Sequence, residues 1–318
     1  MIINSAFKRI ALASVILFLL LLFTLFPRET EYELNIENSV EYVSNNNTSE
    51  IYLLDANGFI GRASVILKST TATNKIKEIL EIMIVDGKRE SVVPNGFRAL
   101  IPSNTKIISI ELTDGIAKLN FSKELLDVNK ELEEQVIEAI TYSLTSISEI
   151  KGVLIYIDGA LLTKLPQTEK RLPSLLTRTF GINKVYDINS LSDINEVTIY
   201  YINEHDDDYY YVPVTKYTND SRDKIKIIID ELTSGPVYET NLMSFLNTNA
   251  KLLNYELSDD SLILNFNSYI LDDLKNKKIL EEVIYSISLS IGDNYDVKEV
   301  IFKVEDEEIE KSALGGIE

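Results

Sequence analysis

The chain reads as an α+β protein. It should hold two tandem two-layer domains, each of β-β-α-β-β-α-β order, behind an N-terminal transmembrane helix. Three observations carry this reading. A long stretch recurs at a constant offset, which is the mark of a duplicated unit. Each copy switches between period-two alternation and helical spacing of its apolar residues. Residues 10–26 (IALASVILFLLLLFTLF) contain no charged residue.

The repeat is clearest between residues 104–122 (NTKIISIELTDGIAKLNFS) and 249–267 (NAKLLNYELSDDSLILNFN), which align without a gap. Lys106, Glu111, Leu112, Asp114, Leu119, Asn120 and Phe121 recur as Lys251, Glu256, Leu257, Asp259, Leu264, Asn265 and Phe266. Residues 136–144 (VIEAITYSL) match 279–287 (ILEEVIYSI), and 150–157 (IKGVLIYI) match 297–304 (VKEVIFKV). Upstream, residues 51–54 are set against 198–201.

Within a copy the elements follow in order. Residues 51–54 form a short apolar run and 63–67 a second β-rich run, with 209–214 as its counterpart. In copy two the segment Glu204-His205-Asp206-Asp207 makes the intervening hairpin turn. Ile76, Ile79, Leu80, Met83 and Ile84 have helical spacing, and Gly87 stands where a cap would end that helix. Ile225, Ile228, Ile229 and Leu232 repeat the pattern before the stop signal Gly235-Pro236. Asp114-Gly115 is a hairpin turn between two alternating strands. Asp259-Asp260 lacks the glycine, so that turn should differ. Leu132, Val136, Ala139, Ile140, Ser143, Leu144 and Ile147 form one stripe of a second helix, and residues 153–157 close the unit as a strand.

Residues 1–27 are assigned as an uncleaved signal anchor, because Leu25-Phe26-Pro27-Arg28 offers no small residues to a signal peptidase. About 17 residues is a short span of a bilayer. Lys8 and Arg9 place the N-terminus in the cytoplasm, with the bulk of the chain outside it and the protein single-pass in the cell membrane. Residues 28–49 are a polar tether, 50–160 the first domain, 161–195 a basic linker, 196–306 the second domain and 307–318 an acidic tail that frays. Copy one carries 12 basic and 16 acidic residues and copy two 10 and 22, so the second holds most of the net charge of −19.

That charge argues against nucleic acid as a partner, since phosphates are held by clustered Lys and Arg. The absence of Cys removes disulfides, thiolate metal sites, cysteine nucleophiles and a lipidated-cysteine anchor. A single histidine, His205, excludes multi-histidine metal sites. No phosphate loop, dinucleotide fingerprint, nucleophile elbow or calcium loop occurs. His205 with Asp206, Asp207 and Asp208 reads as a solvated hairpin tip in preference to a cation site, because adjacent acids on a turn diverge. Tyr209, Tyr210 and Tyr211 read as strand formers, with some weight left for a partner-binding edge. Glu111, Glu256, Asp114, Asp259, Asn120 and Asn265 read as strand-face and turn residues. The linker cations Lys164, Lys170, Arg171, Arg178 and Lys184 could face anionic lipid, a wall polymer or the acidic second copy. No residue is assigned a catalytic, cofactor-binding or metal role.

Several stretches resemble the GerM domain of the tandem GerM-domain family of sporulation and spore-germination proteins. They are residues 96–105 (GFRALIPSNT), 114–122 (DGIAKLNFS), 139–145 (AITYSLT) and 231–236 (ELTSGP), and the similarity spans roughly residues 50–306. The resemblance implies a ring-building-motif-like α+β fold with no active site to carry over. It also implies partners among other ring-building or sporulation-complex proteins, or self-association, in the channel between mother cell and forespore. The expectation is therefore a non-enzymatic, membrane-anchored, extracytoplasmic scaffold; the alternative is a germination-related binding module for a cell-wall or small-molecule ligand. Copy two departs from the family pattern at Asp260 and at Asn247, which stands opposite Pro102.

Overall fold

A computed structural model describes residues 48–236 and 240–314. The anchor expected at residues 10–26 lies outside these, and no described helix is long and apolar enough to cross a membrane. Residues from 46 onward belong to one compact unit.

The first repeat opens with the hairpin β1 (Thr48–Asp55) and β2 (Ile60–Ile66), followed by helix α1 (Ala72–Met83) and the two-residue strand β3 (Phe97–Arg98). Then come β4 (Ile107–Thr113), β5 (Ile116–Phe121), α2 (Glu133–Thr145), β6 (Gly152–Ile157) and β7 (Ala160–Leu161). After β8 (Val185–Asp187) the second repeat runs β9 (Asn195–His205), β10 (Asp208–Thr218), α3 (Lys224–Ser234), β11 (Leu252–Leu257), β12 (Ser261–Phe266), α4 (Glu281–Asn294), β13 (Glu299–Val304) and β14 (Glu307–Ala313). The mixed α+β class follows the expectation, and each repeat closes with one strand more than expected.

The layering differs from the expected single sheet per repeat. Each repeat keeps a four-stranded sheet, β4-β5-β6-β7 or β11-β12-β13-β14, with β5–β6 and β12–β13 parallel. The opening hairpins leave their repeats and fuse into one six-stranded sheet, where β10 pairs antiparallel with β9 and meets β2 at Tyr211 and Arg62. Helix α2 packs on β1 of the shared sheet and on β6 of its own sheet, and α4 packs likewise on β9 and β13. Burial on both sides makes β1 and β9 near-continuous apolar runs. Such runs hide their register, because no alternation marks a face. The structural equivalence is Tyr52 with Tyr200, one residue from the alignment read in the sequence: the Tyr52 N–H donates to Ser143 Oγ and the Tyr200 N–H to Ser290 Oγ.

The turns follow their chemistry. Asp114 and Gly115 both have positive φ, as do Asp206 and Asp207, which is the two-residue geometry that matches strand twist. Without Gly, the β11–β12 connection widens, and the Ser258 N–H donates to the Ser261 carbonyl across it. Gly87 does not end α1, whose last turn gives way to extended backbone at Ile84.

Residues 161–195 are a strap, not a free linker. Leu165, Leu172, Leu176 and Ile182 are buried in the core of repeat one, Leu176 exchanges backbone hydrogen bonds with Val153, and β8 runs parallel to β10. The expected fraying tail is also corrected: residues 307–313 form β14, antiparallel to β13, because an unpaired β13 would leave buried peptide groups without partners.

Candidate functional site: the junction of the repeats

The strongest concentration of buried polar chemistry lies where the two repeats meet. The hydroxyls of Tyr52 and Tyr200 share a hydrogen bond of 2.9 Å. Tyr200 donates to Asp293 Oδ2 at 2.8 Å. Arg178, from the strap, forms an ion pair with Asp293, and its guanidinium lies 4.8 Å from the Tyr142 ring centre. Burial, with the Asp293 charge behind it, pushes the Tyr200 phenol well up. Burial also pushes Tyr142 up. Desolvation, the largest single influence, would lower the Arg178 pKa, but Asp293 and the surrounding Tyr52, Tyr200 and Tyr142 together outweigh it and hold the guanidinium charged.

A second cross-repeat pair sits near the tips of the opening hairpins. Asp55 accepts from the Asn57 and Phe59 N–H groups through Oδ1, and from Asn203 Nδ2 (3.0 Å) and the Tyr210 hydroxyl (2.8 Å) through Oδ2. Asp55 and Asn203 are separated by 148 residues, as are Tyr52 and Tyr200. Equivalent residues therefore bond to each other, which is the signature of a two-fold axis. The chain is folded as a pseudo-dimer of its own repeats.

The strap breaks that symmetry. Asn183 donates from Nδ2 to the Ile60 and Pro213 carbonyls and accepts the Ile60 N–H, filling the gap between β2 and β10 where Pro213 has no donor. Lys184 is held by Glu134 (2.7 Å) and Glu138 (3.2 Å) of α2. Burial, seconded by Glu134, raises the Glu138 carboxyl despite Lys184. Lys170 pairs with Glu134, and Lys164 with Glu169 at 3.0 Å. The linker cations that pair thus face acids of the first repeat or the strap itself, and only Arg178 reaches the second copy.

The other residues singled out in the sequence do not converge. His205 is half-buried against Gly96, which has positive φ and whose absent side chain makes room for the imidazole. Asp206 takes a hydrogen bond from Asn95, while Asp207 is a turn residue. The cleft beside them, of about 390 Å³, is open and lined by Asn57, Asn203, His205, Asp206, Asn241 and Met243 among others. Among the described residues no three His, Asp or Glu side chains gather as metal ligands. Tyr209 packs edge-on to Phe245, Tyr210 to Phe97, and Tyr211 lies against Tyr285. Glu111 faces Lys118 across the strand pair. Asn120 and Asn265 brace the following turns: Asn120 Oδ1 accepts from the Gly159 N–H, and Asn265 Oδ1 from the Asp306 N–H. The sequence did not single out Asp55, Tyr52, Tyr142, Tyr200 or Asp293; the alignment of the opening strands set Tyr52 opposite Ile199, one residue short of Tyr200.

This geometry, two copies of one unit, meets its counterpart in known proteins. The family model described as "Germane: Sporulation and spore germination" matches residues 50–163 and again 198–310. The chain belongs to the Germane family. It is 33% identical over 282 residues to the spore germination protein GerM of Bacillus subtilis (strain 168), covering 87% of this chain and 76% of that one. Its fold matches the solved tandem GerMN domains of the same B. subtilis protein with a TM-score of 0.75 and 32% identity, over 82% of this chain and 91% of that one. Germane kinship associates the chain with sporulation and germination, and the tandem arrangement is common to both proteins.

Proposed function

We infer that this Germane protein is a non-enzymatic scaffold, anchored in the membrane through residues 10–26 and displayed outside the cytoplasm. It assembles with like domains, or with itself, in the envelope complex between mother cell and forespore. One observation supports this most. Ile108 and Leu253 occupy equivalent positions on the edge strands β4 and β11. Each is the extra residue of a β-bulge, and they are 51% and 53% exposed. Exposed apolar side chains on open sheet edges suit association with another protein. The junction works in the same direction: its polar groups are consumed in holding the repeats together, so the two edges are presented at a constant spacing.

Deleting the gene in its host and following spore formation by membrane-dye microscopy tests the reading. A stall after engulfment of the forespore is expected. Normal spores that germinate poorly would favour the binding-module alternative, and no effect on either process would sink both.

A further inference from the structure

The pseudo-two-fold junction leaves one groove filled and its twin open. The filled groove lies between α2 and the outer edge of β10. The strap occupies it: the Ile182 carbonyl accepts the Thr215 N–H, β8 pairs with residues 216–218, and Lys184 is clamped by Glu134 and Glu138. The two-fold relation maps β10 onto β2 and α2 onto α4. After Arg62 meets Tyr211, the outer edge of β2 pairs with no strand among the described residues, and Ser64 and Ile66 are exposed, Ile66 to 71%. Aligned on Ser143 and Ser290, four residues on from the helix match read in the sequence, α4 sets Glu281 where Glu134 stands and Tyr285 where Glu138 stands. Tyr285 is 44% exposed and its ring contacts Tyr211. Glu281 and Glu282 stand in the first turn of the same helix, one turn before Tyr285, and burial first, then these two acids, raise the Tyr211 phenol.

We propose that this open groove, between β2 and the first turns of α4, binds an extended, Lys- or Arg-bearing segment of a partner protein. The segment adds as a strand along residues 63–66 of β2, as β8 does on β10. Its cation lies against Glu281 and Glu282 and over the ring of Tyr285, an arrangement that keeps one carboxylate of the filled groove and replaces the other with an aromatic face. The chain's own residues 28–47 are a poor occupant, since they carry Glu29, Glu31, Glu33, Glu37 and Glu41 against the single cation Arg28. The inference deepens the scaffold reading and rests on it for the existence of a partner.

The probe is a fluorescein-labelled peptide of the strap sequence FGINKVYDI (residues 180–188). It is titrated into the full chain in detergent and followed by anisotropy at low salt. The double variant Glu281→Lys/Glu282→Lys should weaken binding about tenfold or more, and so should replacing the peptide's lysine with glutamate. Ile66→Asp, at an exposed position, should also weaken it. The variants' circular dichroism and melting temperature should match those of the unaltered chain, so that lost binding is not lost folding. No binding, or binding indifferent to these changes, overturns the proposal. So does a photo-crosslinker at position 66 that captures only the chain's own N-terminal residues or a second copy. In the host, a gene deletion that stalls spores, beside a Glu281→Lys/Glu282→Lys strain that sporulates normally, would sink the groove and leave the scaffold reading intact.

Discussion

Asp293 shows how one side chain can tie a repeat to its neighbour. It accepts from Tyr200 within its own repeat and from Arg178 of the strap. Replacing Arg178 with alanine leaves Asp293 largely buried without its cation and should cost about 3 kcal/mol in urea unfolding. Arg178→Ala/Asp293→Asn should cost less than the sum of the single changes, because the stranded charge is gone. Glu133 is a second such residue. Burial alone would raise its carboxyl, but the Thr168 hydroxyl and the Gln167 and Thr168 N–H groups outweigh burial and hold it below the usual range. A lowered pKa in the fold means that the stabilisation is present above the ordinary carboxylate pKa, near 4.3, and is lost as the pH falls through the lowered value. Glu133→Gln should therefore cost about 1–3 kcal/mol at pH 7, with the gap to the unaltered protein narrowing below about pH 4. A gap that stayed constant with pH would refute the carboxylate's role.

The strap is the element that decides whether repeat one is a finished domain. Helix α2 is buried along nearly its whole length, and Leu165 and Ile182 of the strap have no exposed surface. A fragment of residues 50–160 lacks these residues and exposes the face they cover, so it should aggregate or bind a hydrophobic dye. A fragment of that length that is soluble and melts cooperatively would count against this account. Asn183 joins the strap to both repeats, and Asn183→Ala removes three hydrogen bonds to backbone groups in the β2–β10 gap. The expected loss is about 2–3 kcal/mol.

Across the whole molecule, the shared six-stranded sheet joins what the repeat pattern divides. The opening hairpins of both copies belong to it, and the strap crosses from the core of the first to the edge of the second. The described unit should unfold in one calorimetric transition whose calorimetric and van't Hoff enthalpies agree. Two resolved transitions would show that the repeats are independent. In the proposed scaffold, one compact unit would hold Ile108 and Leu253, on their bulged edges, as two paired contact points. Changing both to lysine should leave the melting temperature within a few degrees, because both are about half exposed, yet fail to restore spore formation in a deletion strain.

The sequence by itself determined the elements and their duplication. Alternation at Ala117, Leu119 and Phe121, helical spacing at Ile76, Ile79, Leu80 and Met83, and the Asp114-Gly115 turn are local properties, set by pleat, helix pitch and turn geometry. It also set the absence of Cys and the single histidine, His205. The tertiary structure alone decided that the opening hairpins leave their repeats to share a sheet. Nothing local distinguishes a strand that pairs within its repeat from one that pairs across a junction, because both present the same backbone edge. The one-residue register that brings Tyr52 to Tyr200 and Asp55 to Asn203 was hidden for the same reason, since strands buried on both faces show no alternation. The basic linker became a strap and the acidic tail a strand, because unpaired edges and an uncovered helix face create a demand that only the assembled fold reveals. That demand is met beside β10 and open beside β2, and the difference lies in which side of the pseudo-axis the connecting chain passes.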